Sequence, residues 1–146
     1  MNVDQYIFDC LDRIEEFRDE LGLACDECSE AMGYPRGKLG PKKCRYKAVI
    51  IDRKVKLTVN NLVALKDIYG CSIDYLLFGP ISVDFLFSGL KDARDSKGFT
   101  QLHIANALDI KLHKIKKIES FEYKPNVEDL IKFSLFFDCS PRCFLT

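Results

Sequence analysis

The densest chemistry in this chain lies in "KLHKIKK", residues 111–117, where Lys111, Lys114, Lys116 and Lys117 surround His113. Ammonium and imidazole donors at this density suit phosphate oxygens and the acceptor-rich edges of bases. The pattern also describes the wetted side of an amphipathic helix, because Ile115 and Ile118 recur at helical spacing and belong in a core on either reading. A second basic cluster lies upstream. Residues 34–56 hold nine bases, among them Arg36, Lys38, Lys42, Lys43, Arg45 and Lys47, and a single acid, Asp52. Residues 1–33 hold ten acids and two bases. A net charge of zero therefore conceals a strong local asymmetry that permits a polyanionic partner.

Other chemistries find little support. "CDEC" at 25–28 has metal-like spacing, but a zinc site needs four ligands, and neither a second such pair nor paired histidines complete it. Seven cysteines make poor arithmetic for a disulfide framework, and most fall at apolar positions of helical patterns, where a reduced thiol behaves as a small hydrophobe. "GYPRGKLG" lacks the spacing of a phosphate or dinucleotide loop, and no nucleophile stands in a recognisable frame with a base. Neither catalysis nor a cofactor is expected. No apolar run nears the roughly 18 residues of a membrane span. The acidic start "MNVDQYIFDCLDRIEEF" lacks the order of a secretory signal, so a cytoplasmic protein with no membrane partner is expected.

The elements that must position the lysines are helical and occur twice. "IEEFRDELGL" (14–23) lies over "LKDARDSKGF" (90–99) at an offset of 76, matching Arg18 with Arg94 and Gly22 with Gly98. "VNNLVALKDIYGCSIDYLL" (59–77) lies over "VEDLIKFSLFFDCSPRCFL" (127–145) at an offset of 68, matching Leu62 with Leu130 and Ser72 with Ser140. The first copy thus carries about eight extra residues between 34 and 58, where "PRGKLGPKK" reads as a loop. Ile7, Leu11, Ile14, Phe17 and Leu21 form one helical stripe. Thr58, Thr100 and Asn126 are expected N-caps, Gly70 a stop, and Asp109 a turn residue. Residues 44–51 admit two readings. They form a helix ending near Ile51, or "YKAVII" and "KVKLTV" pair as a hairpin; the helix is preferred because 57–79 align so well with the second copy. Ile81, Phe85, Leu86 and Phe87 are expected to pack the two copies together.

"GFTQLHIANALDIKLHKIKKIESFEYKPNVEDLIKFSLFF" (98–137) resembles the lambda-repressor/Cro-like (XRE) helix-turn-helix family. The likeness rests on a Thr-Gln opening, an alanine five residues on, a tight turn, a helix ending Ile-Glu, and a further helix after a proline. "GCSIDYLLFG" (70–79) is similar to the same family's closing helix. The resemblance implies an all-α fold of two tandem helix-turn-helix bundles, a divergent first domain at 1–79 with a basic insertion at 35–56 and a second at 80–146. It implies double-stranded DNA as partner, with Thr100 and Gln101 on the backbone, Lys111, Leu112, His113 and Lys114 toward base edges, and Lys116 and Lys117 on phosphates. Arg36, Lys38, Lys42, Lys43, Arg45 and Lys47 would form an additional arm for phosphate or an acidic protein. In the first copy Ala24 and Cys25 replace the Thr-Gln pair. The functional expectation is a sequence-specific repressor of bacterial or phage type, acting as a homodimer or with a regulatory protein partner. The competing expectation is a protein-binding inhibitor or antitoxin on a repurposed scaffold.

Overall fold

The computed structural model describes residues 2–34, 44–81 and 84–145. The fold is all-α, with no strand among the described residues. It divides into two compact units, Asn2–Ile81 and Ser82–Thr146. No described helix is long and apolar enough to cross a membrane.

The first unit comprises α1 (Val3–Glu20), α2 (Cys25–Ala31), a π-helical turn (Lys47–Ile51), α3 (Val59–Tyr69) and α4 (Ile73–Phe78). The α1 stripe places Leu11 and Ile14 in the core with Cys10, while Leu21, beyond the last full turn, stays 49% exposed. Tyr46, just ahead of the π-helical turn, and Val49 and Ile50 within it complete that core, and the Asp52 N–H that follows the turn donates to the Lys47 carbonyl at 2.7 Å. The helical reading of residues 44–51 is therefore the one observed, ending at Ile51. Buried Tyr46 donates its hydroxyl proton to Glu15 at 2.7 Å and receives one from Tyr69 at 3.4 Å.

The second unit comprises α5 (Leu90–Lys97), α6 (Gln101–Leu108), α7 (Leu112–Glu119), α8 (Val127–Phe137) and a 3₁₀ turn (Pro141–Phe144). Pro141 opens the closing 3₁₀ turn, a position where its missing N–H would have no helical acceptor in any case. Phe133, Phe137 and Phe144 are buried together, with ring centroids 5.3 and 6.1 Å apart from Phe144. Each such side chain contributes about 1.5–3 kcal/mol by leaving water.

The repeat is realised in backbone detail. Thr58 and Asn126 each cap a helix of 11 residues through a capping box, closed by Asn61 and Asp129 respectively. Ser72 caps α4, and Ser140 caps the closing 3₁₀ turn in the same way. Left-handed residues recur in register: Gly33 with Asp109, Gly70 with Asp138, and Arg53 with Phe121. Aspartate tolerates that conformation better than most residues, which lets Asp109 and Asp138 stand where the first unit has glycine. Arg18 donates to the Leu23 carbonyl at 2.7 Å, and Arg94 repeats this with Phe99 at 3.0 Å. The acid that neutralises each arginine differs. Glu15, one turn back on α1, serves Arg18, whereas Arg94 takes Glu119 from α7.

Two differences matter. In the first unit α1 runs eleven residues ahead of Ile14, and this extension packs on α4, with Arg13 donating to the Leu76 carbonyl at 2.8 Å and Tyr6 edge-on to Phe78. It also covers the left-handed Arg53, which pairs with Asp12 and stacks over Phe8 at 5.2 Å. The second difference lies in the linker. Ile81, Phe85 and Leu86 are each more than half exposed, Phe85 lying under the Arg142 guanidinium at 5.9 Å, and Phe87 packs edge-on to Phe137 of its own unit. The segment from Asp84 is irregular, tied by its carbonyl to the Ser140 N–H at 2.8 Å, so its side chains line no single buried face.

Candidate nucleic-acid interface

α6 begins where Thr100 leaves the helical region and its hydroxyl accepts from the His103 N–H at 3.0 Å. The helix buries Ile104, Ala105 and Leu108 and ends on left-handed Asp109, φ 51°, and the next helix begins at Leu112. Ile110 fills the turn, 7% exposed, with its N–H on the Ala105 carbonyl at 2.9 Å. Lys111 is then the N-cap residue of α7, which buries Ile115 and Ile118 against the unit. With that face fixed inward, Lys111, His113, Lys116 and Lys117 are exposed on the other side and Leu112 is half-buried beside them.

The start of α6 faces an open groove bounded by Lys91 of α5 and Lys116 of α7, with Thr100 and Gln101 at its floor. The first N–H groups of a helix have no intrahelical acceptor, and its dipole favours an anion there. Two flanking lysines make the groove suited to a phosphate. The sequence gives no signal for Lys91 beyond its place on the wet face of α5.

Beneath the groove sits the pair that joins α5 to α7. Arg94 donates to Glu119 from Nε at 2.6 Å and from Nη2 at 3.1 Å, and the two side chains are only 13% and 5% exposed. These bonds raise the guanidinium pKa above its ordinary value. Gln101 donates its amide to the same carboxylate at 2.8 Å. The residue expected to reach a phosphate thus also locks the entry of α6 to the end of α7. No local pattern in the sequence announces this, since Arg94 and Glu119 lie 25 residues apart.

Lys114 does not stand with the other lysines. Its ammonium lies 2.9 Å from the carboxylate of Asp129 and 5.5 Å from the centre of the Tyr123 ring. Asp129 is buried, its Oδ2 closing the capping box of α8, and both of its oxygens lie within reach of the Lys114 ammonium. Lys114 therefore anchors α7 to α8, a correction to its placement toward base edges. His103 is exposed and stacks on Phe99 at 4.5 Å.

In the first unit the corresponding surface has the opposite sign. α2 carries exposed Asp26, Glu27 and Glu30 where α6 has Leu102, His103 and Asn106. Arg45 is half-buried with its guanidinium 4.5 Å from the centre of the Tyr34 ring, so of the expected basic arm only Lys47 is exposed among the described residues. Arg36, Lys38, Lys42 and Lys43 lie outside the described residues. No cluster of three His, Cys, Asp or Glu side chains among the described residues could hold a metal ion. No family model, curated protein or solved structure matches the chain.

Proposed function

We propose that the chain is a non-catalytic, sequence-specific DNA-binding regulator, a repressor of bacterial or phage type, in which α6 and α7 act as a helix-turn-helix. The observation that carries this reading is the outward set of Lys111, His113, Lys116 and Lys117 on α7 beside an α6 entry flanked by Lys91 and Lys116. A helix laid in the major groove presents its N-terminal side chains to base edges. Lys111 and His113 hold that position, while Lys116, Lys117 and Lys91 suit phosphates on either side. Leu112 offers an apolar contact to a thymine methyl. A homodimer would read half-sites about 34 Å apart.

The test is enrichment of binding sites from a random duplex library by the full chain, followed by anisotropy titrations on the winner and a scrambled duplex. A single enriched motif is expected, bound with an affinity that falls by orders of magnitude between about 50 and 200 mM salt. Lys116→Ala and Lys117→Ala should each flatten the salt slope by about one unit, and Lys111→Ala should relax the motif. Failure to enrich any motif would sink the reading.

A second reading, a protein-binding inhibitor, is favoured by the exposed acids of α2, which would repel a phosphate backbone where helix 2 of a reader must cross it. On that reading the first unit meets a basic protein surface.

A further inference from the structure

Cys25 is the first residue of α2 and Ser29 lies one turn further along the same face, which puts their Cβ atoms about 5–6 Å apart. The Ser29 hydroxyl is 3.0 Å from the Cys44 sulfur and also accepts the Tyr46 N–H at 2.9 Å, which fixes the start of the 45–51 helix on that face. Burial above all holds the Cys25 thiol above its ordinary pKa; the Arg18 guanidinium pulls it down, and the Cys44 sulfur is near enough to push it up. Both sulfurs belong to half-buried residues that solvent reaches. The nearer partner in sequence, Cys28, is fully buried, and its sulfur turns into the core against the Tyr69 hydroxyl at 3.7 Å. Within "CDEC", then, the two sulfurs face different environments, and the half-exposed one has its neighbour across the α2 face.

We propose that Cys25 and Cys44 form a reversible dithiol switch that a peroxide closes into a disulfide, covalently pinning the start of α2 to the start of the 45–51 helix. The Cys25 thiolate attacks one oxygen of hydrogen peroxide, the O–O bond breaks, and the released hydroxide takes a proton to leave as water. The Cys44 sulfur then attacks the resulting sulfenic acid, its proton leaving with the hydroxyl as a second water as the S–S bond forms. Two electrons pass from the thiols to the peroxide, and a dithiol reductant reverses the change. Residues 25–44, which include four of the basic side chains at 36–43, become a closed covalent loop. The switch is independent of the DNA-binding reading and of the second unit.

The test is intact mass and peptide mapping of the full chain after hydrogen peroxide, with remaining thiols alkylated before digestion. The expected result is loss of the mass of two hydrogen atoms, one cross-linked peptide joining Cys25 to Cys44, and full reversal by dithiothreitol. The cross-link should persist in Cys28→Ser and vanish in Cys44→Ser, while far-UV circular dichroism shows both variants folded. The oxidised chain should also melt at a higher temperature than the reduced one, because the loop is restrained when unfolded. A Cys25–Cys28 cross-link, or Cys25 carried to sulfinic acid with Cys44 still free, overturns the proposal.

Discussion

Replacing Glu119 by alanine tests how the second unit holds α5, α6 and α7 together. Glu119 is 5% exposed and accepts three hydrogen bonds, two from Arg94 and one from Gln101. Its removal strands a guanidinium that is 13% exposed, with the Phe99 carbonyl and the largely exposed Asp95 as its remaining partners. Breaking one side of a buried pair costs about 3–5 kcal/mol, because the surviving charge is left uncompensated in low dielectric. At about 1.4 kcal/mol per decade, that is a hundredfold or greater rise in the open population. Native-state hydrogen exchange reads it directly. The most protected amides of α5, α6 and α7 should exchange at least about a hundred times faster, while those of α1 and α3 keep their rates. The double variant Arg94→Met with Glu119→Leu should recover most of the loss, since an apolar pair of similar volume needs no desolvation. An acceleration of less than about tenfold in Glu119→Ala, or no recovery in the double variant, would refute the reasoning.

Four further outcomes are expected. Phe121 sits left-handed at φ 61° with 71% of its surface exposed, so Phe121→Gly should stabilise the chain by about 1 kcal/mol in urea unfolding. Arg53→Gly, at the matching position, should gain less, because relief of the same strain is offset by loss of the contacts with Asp12 and Phe8. Brief alkylation of the reduced native chain should modify Cys25, Cys44 and Cys71 and spare Cys10, Cys28, Cys139 and Cys143, as peptide mass spectrometry would show. Burial pushes the Cys10 thiol from 9.0 up to about 12 and raises the Tyr46 and Tyr69 hydroxyls as well. The neutral forms are the ones the fold favours, so their contribution is complete below about pH 9 and is lost as pH climbs toward 12. The urea midpoint should fall across that window, and an unchanged midpoint would contradict it.

Much of this chain is legible from its residues alone wherever one short-range rule suffices. Thr58, Thr100 and Asn126 cap helices because a hydroxyl or amide oxygen reaches an N–H three residues on, whatever surrounds it. Asp109 turns left-handed, and Ile115 and Ile118 go inward, for equally local reasons of backbone sterics and period. The duplicated caps and stops carry the two-copy organisation in the same way. The tertiary structure decided the fate of side chains whose partners are distant. Four lysines look alike in "KLHKIKK", yet Lys114 alone is drawn inward, because the capping box of α8 buries Asp129 within reach of it. Arg18 and Arg94 match in the repeat but take acids from different helices, since the position that holds Glu119 in the second unit holds Ile51 in the first. Ile81, Phe85 and Leu86 are apolar and are exposed. Apolar character alone does not bury a residue unless its backbone is held on a packed face, and that segment has none. Periodicity and capping act over one or two turns, whereas charge pairing and burial are set by elements tens of residues apart, which only the assembled fold brings together.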